Sequence, residues 1–198
     1  MLLNKFSYTI IYYLYILLNI IKYDDNIFYT HCPSMLYICE NYQNFPVKTE
    51  KKILYVSHKD LIGKNKDNEI KKFLKDYCLL NNFSYSEVDN IVRGGMKASD
   101  LMKFYINSEI VVTTRLHGYI IARTLGKKVV AISNDNKIEG FVKSIDDVKP
   151  LDCCKINKEI LSNAIVSSTN FSQKKIEECI KEIKLKGEMI KNFILQAE

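Results

Sequence analysis

From Lys52 onward the chain alternates short apolar runs with segments of helical period, and this rhythm restricts the fold more than any other feature. KILYVS (52–57) reads as a strand, followed by a loop with Gly63 and by DNEIKKFLKDYCLLNN (67–82), where Ile70, Phe73, Leu74, Tyr77 and Cys78 recur at helical spacing. FSYSEV (83–88) alternates like a strand, Arg93-Gly94-Gly95 marks a turn, and Ser99 is placed to cap a short helix carrying Leu101, Met102 and Tyr105 on one side. EIVVTT (109–114) is a strand, GYIIARTLG (118–126) a helix closed by Gly126, KKVVAIS (127–133) a strand and NKIEGFVKSI (136–145) a helix. Strands joined by helical crossovers run parallel. The expected class is α/β: a Rossmann-like parallel sheet with flanking helices.

The flanks of this region are less regular. Residues 6–21, FSYTIIYYLYILLNII, carry no formal charge but include Ser7, Thr9, Asn19 and four Tyr, and Lys22-Tyr23-Asp24-Asp25 offers no small-residue cleavage site. A spanning helix wants about 20 predominantly apolar residues. A buried helix of a cytoplasmic protein is therefore expected there, with peripheral membrane association through 6–21 as the lesser reading. NIFYT (26–30) reads as a strand, His31-Cys32-Pro33-Ser34 as the loop leaving it, and 41–52 as a polar linker. At the far end, residues 174–195 form a helix with a stripe of Ile176, Ile180, Ile183 and Leu185, its Lys and Glu solvated.

The formal charge of +6 is spread along the chain, without a block of Lys/Arg and interleaved aromatics, so nucleic acid is not an expected partner. A diffuse positive field suits small anions. The six cysteines form no C-x-x-C pair and only three His accompany them, so no metal site is expected. Cys32 has only His31 beside it as a base, on the opposite side of an extended chain, and is not expected to act as a nucleophile.

The chemistry concentrates where EIVVTT meets the next helix, at Arg115-Leu116-His117-Gly118. Ligands of open parallel sheets bind outside the carboxyl ends of the strands. A helix starting there presents unpaired amides with partial positive charge. Arg115 adds a fork suited to carboxylate or phosphate, His117 a group that titrates near neutrality, and Gly118 room for a ligand to approach the backbone. Equally, Thr114 could cap the helix while Arg115 pairs with a surface carboxylate. Asn134, Asn136 and Lys137, after the next strand, emerge at the same edge, as does His58 in Ser57-His58-Lys59-Asp60.

VVTTRLHGYIIARTLGKKVVAISNDNKIEGF resembles the signature of the polysaccharide pyruvyl transferases: a strand into R-L-H-G, a helix ending at L-G-K, a buried strand, then a loop with an Asn/Asp–Lys pair. The likeness runs from about Lys52 to Ile145, and YTHCPSM (29–35) is similar to a strand followed by C-P-S in some members. The resemblance implies the C-terminal half of a GT-B-like two-domain fold. It also implies transfer of pyruvate from phosphoenolpyruvate to a sugar acceptor of a cell-surface glycan, with no cofactor. Carried over, Arg115 and Lys137 hold the donor's anionic groups, assisted by Leu116, His117, Gly118, Asn136 and His58. His117 supplies a proton either to the methylene carbon or to the departing phosphate. The family's usual G-N-x-G-D-like stretch does not precede residues 6–21. Residues 1–50 are accordingly expected to be a remnant of the preceding half, 51–150 the Rossmann-like domain and 151–198 helices packing back on it. Catalysis is expected to need a missing half supplied by another chain. Two alternatives are a glycosyltransferase using a nucleotide sugar, with Glu139 facing the ribose, and a non-catalytic membrane-associated remnant.

Overall fold

The computed structural model describes residues 31–42, 50–58, 62–91, 97–133 and 136–196. The helix and strand expected at 6–21 and 26–30, the Arg93-Gly94-Gly95 turn, Lys59-Asp60 and Asn134 lie outside these. Strands β1 (Glu50–Val56), β2 (Ser84–Val88), β3 (Ser108–Thr113), β4 (Lys128–Ser133) and β5 (Leu151–Asp152) form one sheet in the order β2-β1-β3-β4-β5. Every neighbouring pair is parallel. Helices α1 (Ser34–Tyr42), α2 (Lys64–Leu80), α3 (Ala98–Ile106), α4 (Leu116–Thr124), α5 (Asn136–Ser144), α6 (Lys158–Ser167) and α7 (Gln173–Gln196) surround it. This is the α/β, Rossmann-like arrangement expected.

Both faces of the sheet are covered, which explains why its central strands read as unbroken apolar runs rather than alternating ones. Leu54, Val56, Val111, Val129 and Ala131 point to one face, where α1, α3, α4, α5 and α7 bring Met35, Tyr105, Ile120, Ile138 and Ile183. Ile53, Tyr55, Ile110, Val112 and Val130 point to the other, under Ile70 and Leu74 of α2 and Leu161 and Ile165 of α6. Ile53, Leu54, Val111 and Val112 are shut off from solvent, and burying each stabilises the fold by about 1.5–3 kcal/mol.

Some expectations shift. Ser34, expected in a loop, and residues 41–42, expected in a linker, are the two ends of a helix, and the last residues of that linker open β1 at Glu50: Met35, Leu36, Ile38 and Tyr42 are buried, and α1 packs on α4 and α7. Helix α3 begins at Ala98, two residues earlier than a Ser99 cap allows, because the cap is Lys97, whose amide donates to Asp100 at 3.1 Å. On α7, Cys179 rather than Leu185 completes the buried stripe with Ile176 and Ile183, and Leu185 is exposed.

Two cations are buried in this frame. Arg123, at 2% exposure, lies 2.6 Å from Asp147 through Nε and donates to Thr169 O at 2.7 Å and Lys127 O at 3.2 Å. It thereby ties α4 to the segments before β5 and α7. Lys127, 4% exposed, donates to Ile106 O at 2.6 Å, and burial pulls its amine down to about 8. Among the described residues no helix is long and apolar enough to cross a membrane.

Candidate active site

The strand order places the change of winding direction between β1 and β3, since β2 lies to one side of β1 and the chain then crosses back to β3. In such sheets the crevice outside the carboxyl ends at that point is where ligands bind. Val56 pairs with Val88 on one side and Thr113 on the other, so three strands end level there. The segments leaving them are Ser57-His58, Asp89-Asn90 and Thr114-Arg115.

Two threonines lock the β3 exit. Thr114 is buried and its Oγ1 accepts the His58 amide at 2.7 Å, while its own amide donates to Val56 O at 3.0 Å. Thr113 Oγ1 accepts the Arg115 amide at 3.0 Å and lies 3.3 Å from Val56 O and 3.1 Å from Arg115 O, to either of which it can donate. Thr114 therefore stitches two strand exits together, and Arg115 is the N-cap residue of α4, with an extended backbone. Arg115 Nε donates to Ser57 O at 2.7 Å, which fixes its half-buried side chain across the β1–β3 crevice. The surface carboxylate partner considered from sequence is replaced, at Nε, by this backbone carbonyl.

Helix α4 makes its first intrahelical bond from the Tyr119 amide to Arg115 O, at 3.0 Å. The amides of Leu116, His117 and Gly118 therefore have no intrahelical acceptor and carry the helix's positive end. Leu116 is half-buried against the core, and His117 is exposed. Gly118 is buried, and a Cβ added there would stand 2.4 Å from Thr113 Oγ1 and 3.0 Å from Val56 Cγ1. The missing side chain thus faces the strand, and glycine lets α4 sit directly on the β1–β3 exits.

The neighbour of His117 is Cys32, the thiol set aside from sequence. Cys32 Sγ is 3.0 Å from Ser34 Oγ at the start of α1, and the thiol and the imidazole stand near enough for each to shift the other's proton affinity. The neighbouring thiol raises the imidazole above its ordinary value, against the partial desolvation of the ring, which keeps one side open to solvent, and the Arg115 charge. Burial pushes the Cys32 thiol up, but His117 and the hydroxyl and amide of Ser34 outweigh it and hold the thiol below its ordinary value. The base beside Cys32 is accordingly His117, not the adjacent His31, whose Nε2 reaches Glu182 of α7 at 3.1 Å.

The family model for polysaccharide pyruvyl transferase matches residues 12–136. The chain belongs to that family. The match takes in the whole β1–β4 unit with its R-L-H-G segment, and reaches upstream past α1 and Cys32. No curated protein matches the chain. Of the other residues expected at a pyruvyl transferase site, His58 is half-buried at the β1 exit, with Nδ1 buried and unpaired. Asn136 and Lys137 open α5 after β4, at the same carboxyl edge of the sheet, and both are exposed. Glu139 sits in that same first turn, also exposed. Tyr105, shielded from solvent on α3, donates to Asn90 Oδ1 at 2.5 Å and closes the β2 side of the crevice. Among the described residues no group of three or more His, Cys, Asp or Glu could hold a metal ion.

Proposed function

We propose that this chain transfers pyruvate from phosphoenolpyruvate to a sugar of a cell-surface glycan or glycan precursor, forming a cyclic ketal and releasing phosphate. The observation that carries the reading is the position of Arg115–Gly118 at the β1–β3 switch point, inside the span matched by the family. The donor bears a phosphate and a carboxylate. The open amides of α4, the guanidinium of Arg115 and Lys137 supply positive charge at the edge where such a ligand arrives. His58 and Asn136 contribute polar groups beside it.

In the reaction a proton adds to the methylene carbon of the enol, which becomes the methyl group, and the adjacent carbon becomes electrophilic. One sugar hydroxyl adds there, phosphate leaves with its bonding pair, and a second hydroxyl closes the ketal. His117 supplies a proton to the methylene carbon or to the departing phosphate. Its basicity, raised by the neighbouring Cys32, favours the protonated form that can donate. A second Rossmann-like half, facing this edge in a GT-B-like cleft, carries the acceptor. The donor is a cytosolic metabolite, so the reaction belongs in the cytoplasm.

The test is phosphate release from phosphoenolpyruvate with a β-galactoside or N-acetylmannosamine acceptor, comparing the natural chain with Arg115→Ala and His117→Ala. Loss of one general acid should cost about 10²–10⁴-fold in rate. Turnover untouched by either substitution would remove both residues from the mechanism.

A further inference from the structure

Asn90, at the β2 exit, belongs to no motif of the sequence and has no part in the proposed reaction. Beyond Val56, Val88 and Thr113 the strand pairing continues: the Ser57 amide donates to Val88 O at 3.1 Å and the Thr114 amide to Val56 O at 3.0 Å. Two residues past the paired positions, His58, Asn90 and Arg115 therefore stand in one row across three neighbouring strand exits. Asn90 turns the chain there in the left-handed region, at φ 57°, where asparagine is better tolerated than most residues. Its amide is held at one end: Tyr105, shut off from solvent, donates to Oδ1 at 2.5 Å. The other end, Nδ2, is buried without a hydrogen-bond partner, and so is His58 Nδ1 at the adjoining exit. Buried polar groups are rarely left unpaired, and leaving them so is costly. Beside them, and among the described residues, Arg115 uses only Nε of its guanidinium, on Ser57 O at 2.7 Å.

Neighbouring strands lie about 4.8 Å apart. An anionic group seated on the open α4 amides and Arg115, at the β3 exit, leaves a second group one or two carbons away over β1. Side chains leaving β1 and β2 meet it there. We propose that Asn90 and His58 form a second anion subsite, which takes the far acidic group of a small ligand carrying a phosphate and a carboxylate. Asn90 Nδ2 donates to one oxygen of that group and His58 Nδ1–H to another. Tyr105 is a positioning residue that fixes which way the Asn90 amide faces. The ligand's identity as phosphoenolpyruvate rests on the transferase reading, whereas the subsite is measured without turnover.

The experiment titrates the full chain by calorimetry with two probes. Phosphoglycolate joins a phosphate to a carboxylate through one carbon and has no enol to transfer; inorganic phosphate is the single-anion comparison. Asn90→Gly removes the amide without backbone strain, since glycine accepts the left-handed φ. A hydrogen bond to a charged group is worth about tenfold or more in affinity. Asn90→Gly is expected to weaken phosphoglycolate by about tenfold and to leave inorganic phosphate unchanged, which also reports an intact fold. Asn90→Asp keeps an acceptor for Tyr105 but sets a carboxylate against the ligand, and should weaken phosphoglycolate further. Tyr105→Phe frees the amide to turn and should cost about threefold, again with phosphate unaffected. Arg115→Ala should weaken both probes. Phosphoglycolate binding that survives Asn90→Gly and Asn90→Asp, or that is absent from the natural chain, would overturn the subsite. An equal loss of inorganic phosphate in Asn90→Gly would overturn the division into two subsites. Asn90-dependent binding of phosphoglycolate in a chain that releases no phosphate from phosphoenolpyruvate would sink the transferase reading and uphold the subsite.

Discussion

Gly118→Ala tests the way the site is seated on the sheet. The added methyl would lie 2.4 Å from Thr113 Oγ1, 3.0 Å from Val56 Cγ1 and 3.3 Å from Thr113 Cβ, against the 3.4 Å at which ordinary contact begins. Either α4 lifts off β3 or Thr113 turns away. Turning Thr113 breaks its hold on the Arg115 amide and its bond to a neighbouring carbonyl, each worth about 1 kcal/mol. Lifting the helix is an overpacking strain of about 1–3 kcal/mol. Alanine returns about 1 kcal/mol through helix propensity. The net expectation is a loss of about 1 kcal/mol in urea unfolding with an unchanged m-value. Thr113→Ala alone should cost about 1–2 kcal/mol through the unpaired Arg115 amide. In the double variant the oxygen is gone and its bonds are lost only once, so the cost should fall short of the sum by at least about 1 kcal/mol. If Gly118→Ala is neutral, or the two changes add to within about 0.5 kcal/mol, glycine is not there to let the helix approach the strand.

Lys127→Met probes the cost of a buried ammonium. Folding pulls the amine from its ordinary value down to about 8, which burdens the folded state by about 3 kcal/mol at neutral pH. Because the folded value is the lower one, the unfolded chain holds more protons between about pH 8 and 10, and this residue's contribution to stability rises with pH there. The variant leaves Ile106 O without its partner, at about 1–3 kcal/mol, so at pH 7 the net gain should be about 1 kcal/mol. Urea midpoints taken at neutral and alkaline pH should show the natural chain catching up with the variant as pH rises, and parallel profiles would refute the assignment. Arg123→Met strands Asp147 and the Thr169 carbonyl, and should cost about 3–5 kcal/mol in the same assay. A loss below about 1 kcal/mol would show that the Arg123–Asp147 tie does not hold α4 in place.

The strands were legible because burial on both faces demands unbroken apolar runs, as in EIVVTT and KKVVAIS, and such runs survive without knowledge of their neighbours. Their order was not. Nothing in KILYVS states that β1 lies between β2 and β3, yet that placement makes Ser57-His58 and Thr114-Arg115 face each other. Helix α1 is faint in the sequence because nine residues give a weak periodicity, although Pro33-Ser34 ahead of Met35, Leu36 and Ile38 is a start signal. Gly118 was read for what it offers a ligand, whereas the atom that requires it belongs to Thr113, in the strand the helix has just left. Cys32 was judged by the base next to it in sequence, and the packing of α1 on α4 supplied another from the opposite part of the chain.

A single dependence runs through this edge of the sheet. Arg115 is held by Ser57 O, its amide by Thr113 Oγ1, and α4 settles on that threonine only because residue 118 has no side chain. That seating sets where His117 points, and α1, docked on α4, brings Cys32 to meet it. The chemistry of the edge therefore hangs on strand-to-helix packing rather than on the exposed residues alone. A substitution at buried Thr113 should disturb proton transfer by His117, although it does not touch that side chain. Changes at exposed Lys137, on a different helix, should weaken anion binding while leaving the seating of His117 as it is.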